Sequence, residues 1–203
     1  MKLCSLTTLL LLSAAAGCGS GGPEGTGGSG GDPLAERSAY RLTCTIDTLV
    51  IEIPIELSYE LDQPYIVGGS ADLTFSATVT FTEEASATLI DAGISKIDII
   101  SMQIASGVEG ATPAMVETSL AAAPINDFDL EPDTNDDGLP GPHRLELEPV
   151  VTTTTVAAGA DQVEFMLRTD QVSMILGDFA VPTDCLGPTL VGFTARFAVE
   201  PSS

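Results

Sequence analysis

Ile51-Glu52-Ile53-Pro54-Ile55-Glu56-Leu57-Ser58-Tyr59-Glu60-Leu61 carries an apolar residue at every odd position and Glu, Pro or Ser at every even one. Side chains alternate between the two faces of an extended chain, so this stretch is a strand with one face buried and the other wet. Pro54 has no N–H to give to a ladder. The strand therefore lies at a sheet edge, or its proline sits at a bulge.

The same period of two recurs on both sides of this segment. Leu42, Cys44, Ile46 and Thr48 precede it, and Leu73, Phe75, Ala77, Val79 and Phe81 follow. Further on come Ile97 and Ile99, Leu145 and Leu147, then Val163, Phe165 and Leu167, then Val172, Met174 and Leu176, and finally Val191, Phe193, Ala195, Phe197 and Val199. Gly, Pro, Asp and Asn punctuate the intervals. Short alternating strands between such turns predict an all-β fold, an antiparallel Greek-key (Ig-like) β-sandwich of about 8–9 strands. One short helix is expected at Glu83 to Ala92, where two acidic residues open the segment and Gly93 closes it. Ala111 to Ala123, bracketed by Pro113 and Pro124, is expected as strand. Thr152 to Thr155 suits an exposed strand and carries no chemistry; Met102, Met166 and Met174 serve as core filler.

The N-terminus speaks to location. Lys2, the apolar run Leu6 to Leu12 and the small residues before Cys18 have the order of an export signal. The ending Ala15-Ala16-Gly17-Cys18 resembles the lipobox of bacterial lipoproteins, with Ala15 where that motif usually has Leu. The resemblance implies that Cys18 is lipidated and becomes the mature N-terminus. Ala14-Ala15-Ala16 also fits the small-x-small rule of a plain secretory signal cut after Ala16. Cysteine parity favours the lipoprotein: with Cys4 discarded, Cys18, Cys44 and Cys185 are an odd set for an oxidising compartment. Lipidation of Cys18 leaves Cys44 and Cys185 to pair. Neither lies in a CxxC motif, so the bridge is structural, not redox-active. The apolar run falls short of the roughly 20 residues a membrane-spanning helix needs.

The expected organisation is a signal at 1–17, a tether at 18–36 and one β-sandwich domain at 37–203. Gly19 to Pro33 is almost entirely Gly, Ser, Pro and Thr with no apolar side chain to bury, and such a coil reaches about 20 Å from its anchor. Gly19 after the lipidated cysteine resembles lipoproteins sorted to the outer membrane. The chain of 203 residues holds 29 Asp and Glu against seven Lys and Arg, a net charge of −22. No basic stripe is left for phosphate, which excludes nucleic acid as a partner.

The most specific chemical motif is Asp133-Thr134-Asn135-Asp136-Asp137-Gly138. It matches the D-x-N-x-D-G core of calcium loops: Asp133, Asn135 and Asp137 offer side-chain oxygens at alternate positions, Gly138 permits the sharp turn, and the Leu139 carbonyl is a fourth ligand. The match ends there, because Arg144 stands at the twelfth position where an EF-hand has a bidentate Glu, and Pro140 and Pro142 oppose a following helix. Two readings stay open. One is a partial Ca2+ loop completed by Glu131, Asp136 or Glu146; the other is an acidic turn, since Asp, Asn and Gly serve turns for backbone reasons alone.

Nothing in the chain spells a catalytic set. The single histidine, His143, is expected to be a solvated loop residue, without a nucleophile elbow or fixed-spacing partners. One His and no free Cys pair set zinc aside. A chain without Trp has few rings on which a sugar could stack, leaving Tyr40, Tyr59 and Tyr65 as candidates. With Tyr40-Arg41-Leu42-Thr43-Cys44 early and Asp184-Cys185 late, the domain loosely resembles secreted β-rich domains of actinobacteria whose function is unassigned. That likeness implies a cell-surface sandwich with a terminal disulfide.

The expected function is a lipid-anchored envelope module that binds or scaffolds an envelope protein or polymer, not an enzyme, stabilised by one Ca2+ if the loop takes it. The alternative is a carrier holding an apolar ligand between its sheets. A third is a carboxylate-dependent hydrolase, which needs two acids facing each other across a cleft.

Overall fold

The computed structural model describes residues 34–46, 48–119, 124–177, 183–186 and 193–202. The expected signal at 1–17, Cys18 and most of the expected tether lie outside the described residues. Within them, thirteen strands and one helix form an all-β sandwich.

β1 (Ala35–Ile46) and β2 (Leu49–Leu61) make a hairpin paired along its whole length, from Ala35 opposite Glu60 to Ile46 opposite Leu49. The alternation in β2 works as its sequence demands: Ile51, Ile53, Ile55, Leu57, Tyr59 and Leu61 are buried. β1 begins two residues before Arg37, so Ala35 and Glu36, expected at the end of a tether, belong to the sheet.

β3 (Tyr65–Ile66) and β4 (Ser70–Phe81) follow. Thr82 then caps α1 (Glu83–Asp91): its side-chain oxygen accepts from Ala85 N at 3.1 Å, with Glu83 and Glu84 in the first turn. The helix stops at Gly93, whose φ of 85° suits glycine. β5 (Lys96–Glu109), β6 (Ala111–Thr112), β7 (Met115–Ser119), β8 (Ile125–Asp129), β9 (His143–Glu146), β10 (Val150–Val156), β11 (Gln162–Gly177), β12 (Thr183–Leu186) and β13 (Phe193–Glu200) complete the chain.

One sheet runs β12, β1, β2, β4, β10, β6, with β9 sharing the far edge of β4 with β10. The other runs β13, β11, β5, with β7 and β8 along the far edge of β5. Pairing is antiparallel except where the short β3 adds to β13 in parallel. β12 belongs to both sheets, its first half on β11 and its second half on β1.

The core fills the space between the sheets. Tyr59 of β2 has its ring centroid 5.0 Å from Phe75 of β4 and 4.9 Å from Phe165 of β11, and Phe165 meets Phe197 of β13 edge-on at 5.9 Å.

The strand count exceeds the expected 8–9. Val163 to Leu167 and Val172 to Leu176 join into one long β11 through an irregular register against β5. The Ala111 to Ala123 segment supplies two strands, β6 and β7, broken around Pro113. Two-residue strands such as β3 and β6 are too short to show a period. β2 is flanked on both sides from Ile55 to Leu61, but β4 pairs with it only from Ile55 onward. Pro54 thus lies just past the end of that ladder, at an edge that covers only the first half of the strand.

Candidate functional site

The Asp133 loop connects β8 to β9. Its form follows from the Asp133 carboxylate, which accepts Gly138 N–H on Oδ2 at 2.6 Å, and Asn135 N–H and Asp137 N–H on Oδ1 at 3.1 and 3.3 Å. Asp136 and Gly138 take positive φ, 64° and 86°, to wrap the backbone around that carboxylate. These N–H groups, Gly138 foremost, hold the Asp133 carboxyl below its ordinary pKa even though it faces solvent. Asp137 Oδ1 accepts from Leu139 N at 2.9 Å. Asn135 donates its amide to Asp137 Oδ2 at 3.1 Å and to Glu83 Oε1, on the first turn of α1, at 2.8 Å.

The base of the loop is tied as well. Thr134 N donates to Gly141 O and Gly141 N to Pro132 O, while Thr134 Oγ1 donates to Pro142 O at 2.7 Å. Gly141 has φ 86°, and a Cβ there would come within 3.2 Å of the buried Ser86 Oγ. Of the predicted ligand set, Asp133, Asn135 and Asp137 are brought together; the carboxylates of Asp133 and Asp137 accept from groups within the turn, and Asn135 also donates outward to Glu83. Leu139 follows them with an exposed side chain. Among the described residues, no group of three or more His, Cys, Asp or Glu side chains is placed to hold a metal.

His143 corrects an expectation. It is not a solvated loop residue but opens β9 with 8% exposure, its Nε2 3.1 Å from Leu130 O and its ring edge-on to Phe128 at 5.6 Å. The loop that carries it folds back, so residues from β8 and just beyond cover the imidazole.

The tyrosines also turn inward. Tyr59 Oη lies 2.6 Å from Ser106 Oγ of β5 and 2.9 Å from Thr194 Oγ1 of β13, and Thr194 donates to Phe165 O at 2.9 Å. Tyr65 Oη meets Thr154 Oγ1 at 2.7 Å, with Thr154 anchored on Ala71 O. Burial raises the pKa of Tyr59, Tyr65 and, half-buried, Tyr40. Tyr59 and Tyr65 therefore offer no ring for a sugar. Thr154, assigned to an exposed run, is the buried member of Thr152–Thr155.

Cys44 and Cys185 form a disulfide with Cα atoms 4.1 Å apart and a sequence separation of 141. It lies where β12 leaves β11 and joins β1, so it pins the strand shared by the two sheets.

Two grooves mark the outside. One, of about 670 Å3, runs over the wet face of β1, β2 and β4 past Arg37, Glu56, Ser58, Glu60, Ser76 and Glu146. The other, of about 450 Å3, separates the first half of β2 from α1, with Arg41, Val50, Glu52 and Pro54 on one side and Thr82 to Ala85 on the other. Arg41 is bound to Glu52 at 2.8 Å. This second groove is the feature that sequence reading missed; Pro54, inside an otherwise regular strand, was its signal.

No family model, curated protein or solved structure matches the chain. No helix among the described residues is long and apolar enough to cross a membrane.

Proposed function

We propose that the chain is an exported β-sandwich module, held at the bacterial cell envelope by a lipid on Cys18, and that its role there is binding or scaffolding, not catalysis. The Cys44–Cys185 disulfide is the observation that carries this reading. A buried structural bridge of this kind belongs to an oxidising compartment. With that pair joined and Cys4 inside the signal, Cys18 is the cysteine left over, at the end of Ala15-Ala16-Gly17. Gly19 next to it directs the reading to the outer membrane.

The carrier alternative draws no support from the space between the sheets, which Tyr59, Phe75 and Phe165 fill. A Ca2+ ion at the Asp133 loop belongs to the proposal as a stabiliser. Its support is the alternate spacing of Asp133, Asn135 and Asp137 and the approach of Glu83 through the Asn135 amide.

The test is fractionation of bacteria expressing the full chain and fed an alkyne-tagged fatty acid. The wild-type chain should enter the membrane fraction and take the tag, and Cys18→Ser should lose both. A Cys18→Ser chain that stays with the membrane, or a wild-type chain without the tag, overturns the anchor.

A further inference from the structure

Among the described residues, β2 leaves half of one edge unpaired, and its hydrogen-bonding parity says which groups are on offer. In an antiparallel ladder, alternate residues turn their N–H and C=O to opposite neighbours. Leu61 donates its N–H to Leu34 O on the β1 side, and Asp62 donates to Asp72 O on the β4 side. The β1–β2 register is unbroken from Ala35–Glu60 to Ile46–Leu49. Odd residues of β2 therefore bond to β1, and even residues face β4. The β4 ladder ends at Ile55 opposite Val79, because the chain leaves the sheet at Thr82 to enter α1. Val50 and Glu52 consequently direct their N–H and C=O into the groove between β2 and α1. Both are exposed, Val50 by 60%.

Natural edges are blunted by proline or charge. Pro54 removes one N–H here and Glu52 adds one charge, yet the two full donor and acceptor sets of Val50 and Glu52 remain. The charges around them are mostly negative. Glu52, Glu83 and Glu84 line the groove, the Asn135–Glu83 bond brings the acidic Asp133 loop to its rim, and Arg41, the one cation among the described residues that line it, is held by Glu52. A second copy of this chain, itself at −22, is repelled from such an edge.

We propose that the Val50–Glu52 edge is a docking site for an extended, basic segment of a partner protein, which adds to β2 as a further strand. Backbone hydrogen bonds to Val50 and Glu52 supply register, lysines or arginines meet Glu52, Glu83 and Glu84, and interleaved apolar residues lie against Val50 and Pro54. The proposal rests on reading the domain as a binding module and deepens that reading; it is independent of the lipid anchor.

The test uses the purified full chain and a fluorescein-labelled peptide of alternating lysine and valine, followed by fluorescence anisotropy. Saturable binding is expected, weakened tenfold or more when the valine amides of the peptide are N-methylated, and weakened again when glutamates replace its lysines. Val50→Pro should cost a similar factor. It deletes an outward N–H that β1 does not use, at a position with the same parity as the tolerated Pro54. Hydrogen exchange gives a separate readout: the Val50 and Glu52 amides should exchange fast in the free protein and become protected in the complex. No binding, binding indifferent to N-methylation, or Val50 and Glu52 amides already protected in the free chain would each overturn the docking site. None of these outcomes bears on the Cys18 fractionation, so failure of the edge and failure of the anchor are told apart.

Discussion

Tyr59 and Thr194 stand 135 residues apart in the chain and meet hydroxyl to hydroxyl at 2.9 Å, in the middle of the core. With Ser106 at 2.6 Å on the other side, the Tyr59 hydroxyl ties β2 of one sheet to β5 and β13 of the other. An apolar interface is indifferent to small sliding motions, whereas a hydroxyl triad holds only at one register. Tyr59→Phe keeps the ring between Phe75 and Phe165 and removes that tie, leaving Ser106 short of a partner. A loss of about 1–3 kcal/mol in urea unfolding is expected, from stranding a buried polar group. Tyr59→Ala should cost about 3–5 kcal/mol, because the cavity is added.

The same burial sets the alkaline limit of the fold. Tyr59, Tyr65 and Tyr40 all have pKa values raised above the ordinary value of about 10, first of all by desolvation. In the unfolded chain these phenols release their protons near that value, while in the folded chain they keep them. The folded state then binds more protons, so stability is fully present below the unfolded pKa and falls as pH rises above about 10. Urea midpoints measured across that range should decline, and Tyr59→Phe should flatten the slope. A midpoint that stays level into strong alkali contradicts the burial of these hydroxyls.

Cys44 and Cys185 close nearly the whole domain. For a sequence separation of 141, the chain-entropy estimate for the bridge is about 5 kcal/mol. Reduction, or the pair Cys44→Ser and Cys185→Ser, should lower stability by up to that amount. Protection should be lost first at β12, which among the described residues rests on β1 through two residue pairs, Thr43–Leu186 and Cys44–Cys185. Urea unfolding with and without reductant, read with amide exchange, checks both statements.

Much of this was legible in the residues themselves. β2 could be read because one face of it is buried from Ile51 to Leu61, and α1 because Glu83, Glu84 and Gly93 mark its ends. What failed was whatever depended on a neighbour distant in sequence. His143 looked solvated beside Pro142, but Leu130 and Phe128 cover it once the loop returns. Tyr59 and Tyr65 had the amphipathic character of a surface platform, and only the opposing Ser106, Thr194 and Thr154 made burial of their hydroxyls affordable. Pro54 was correctly an edge signal, yet the sequence had no means of saying that the edge covers only half the strand, since that depends on where β4 turns into α1.

The Asp133 loop shows the same ambiguity in one motif, because residues spaced to ligate a cation are also spaced to cap their own turn. Asp133 accepts from the N–H groups of Asn135, Asp137 and Gly138, so Asp133→Ala should release all three and raise their exchange rates, with or without calcium. Its lowered pKa fixes the sign with pH: the contribution is present above the unfolded carboxyl value of about 3.9 and is lost as pH falls through and below it. Calcium separates the two roles. If the ion is a stabiliser, millimolar Ca2+ raises the Tm of the wild-type chain over that in chelator, and Asp137→Asn, which keeps an oxygen to accept Leu139 N–H, abolishes the rise while leaving the chelated Tm close to that of wild type. If the turn is capped by its own residues alone, the two melting curves superimpose and only Asp133→Ala moves them.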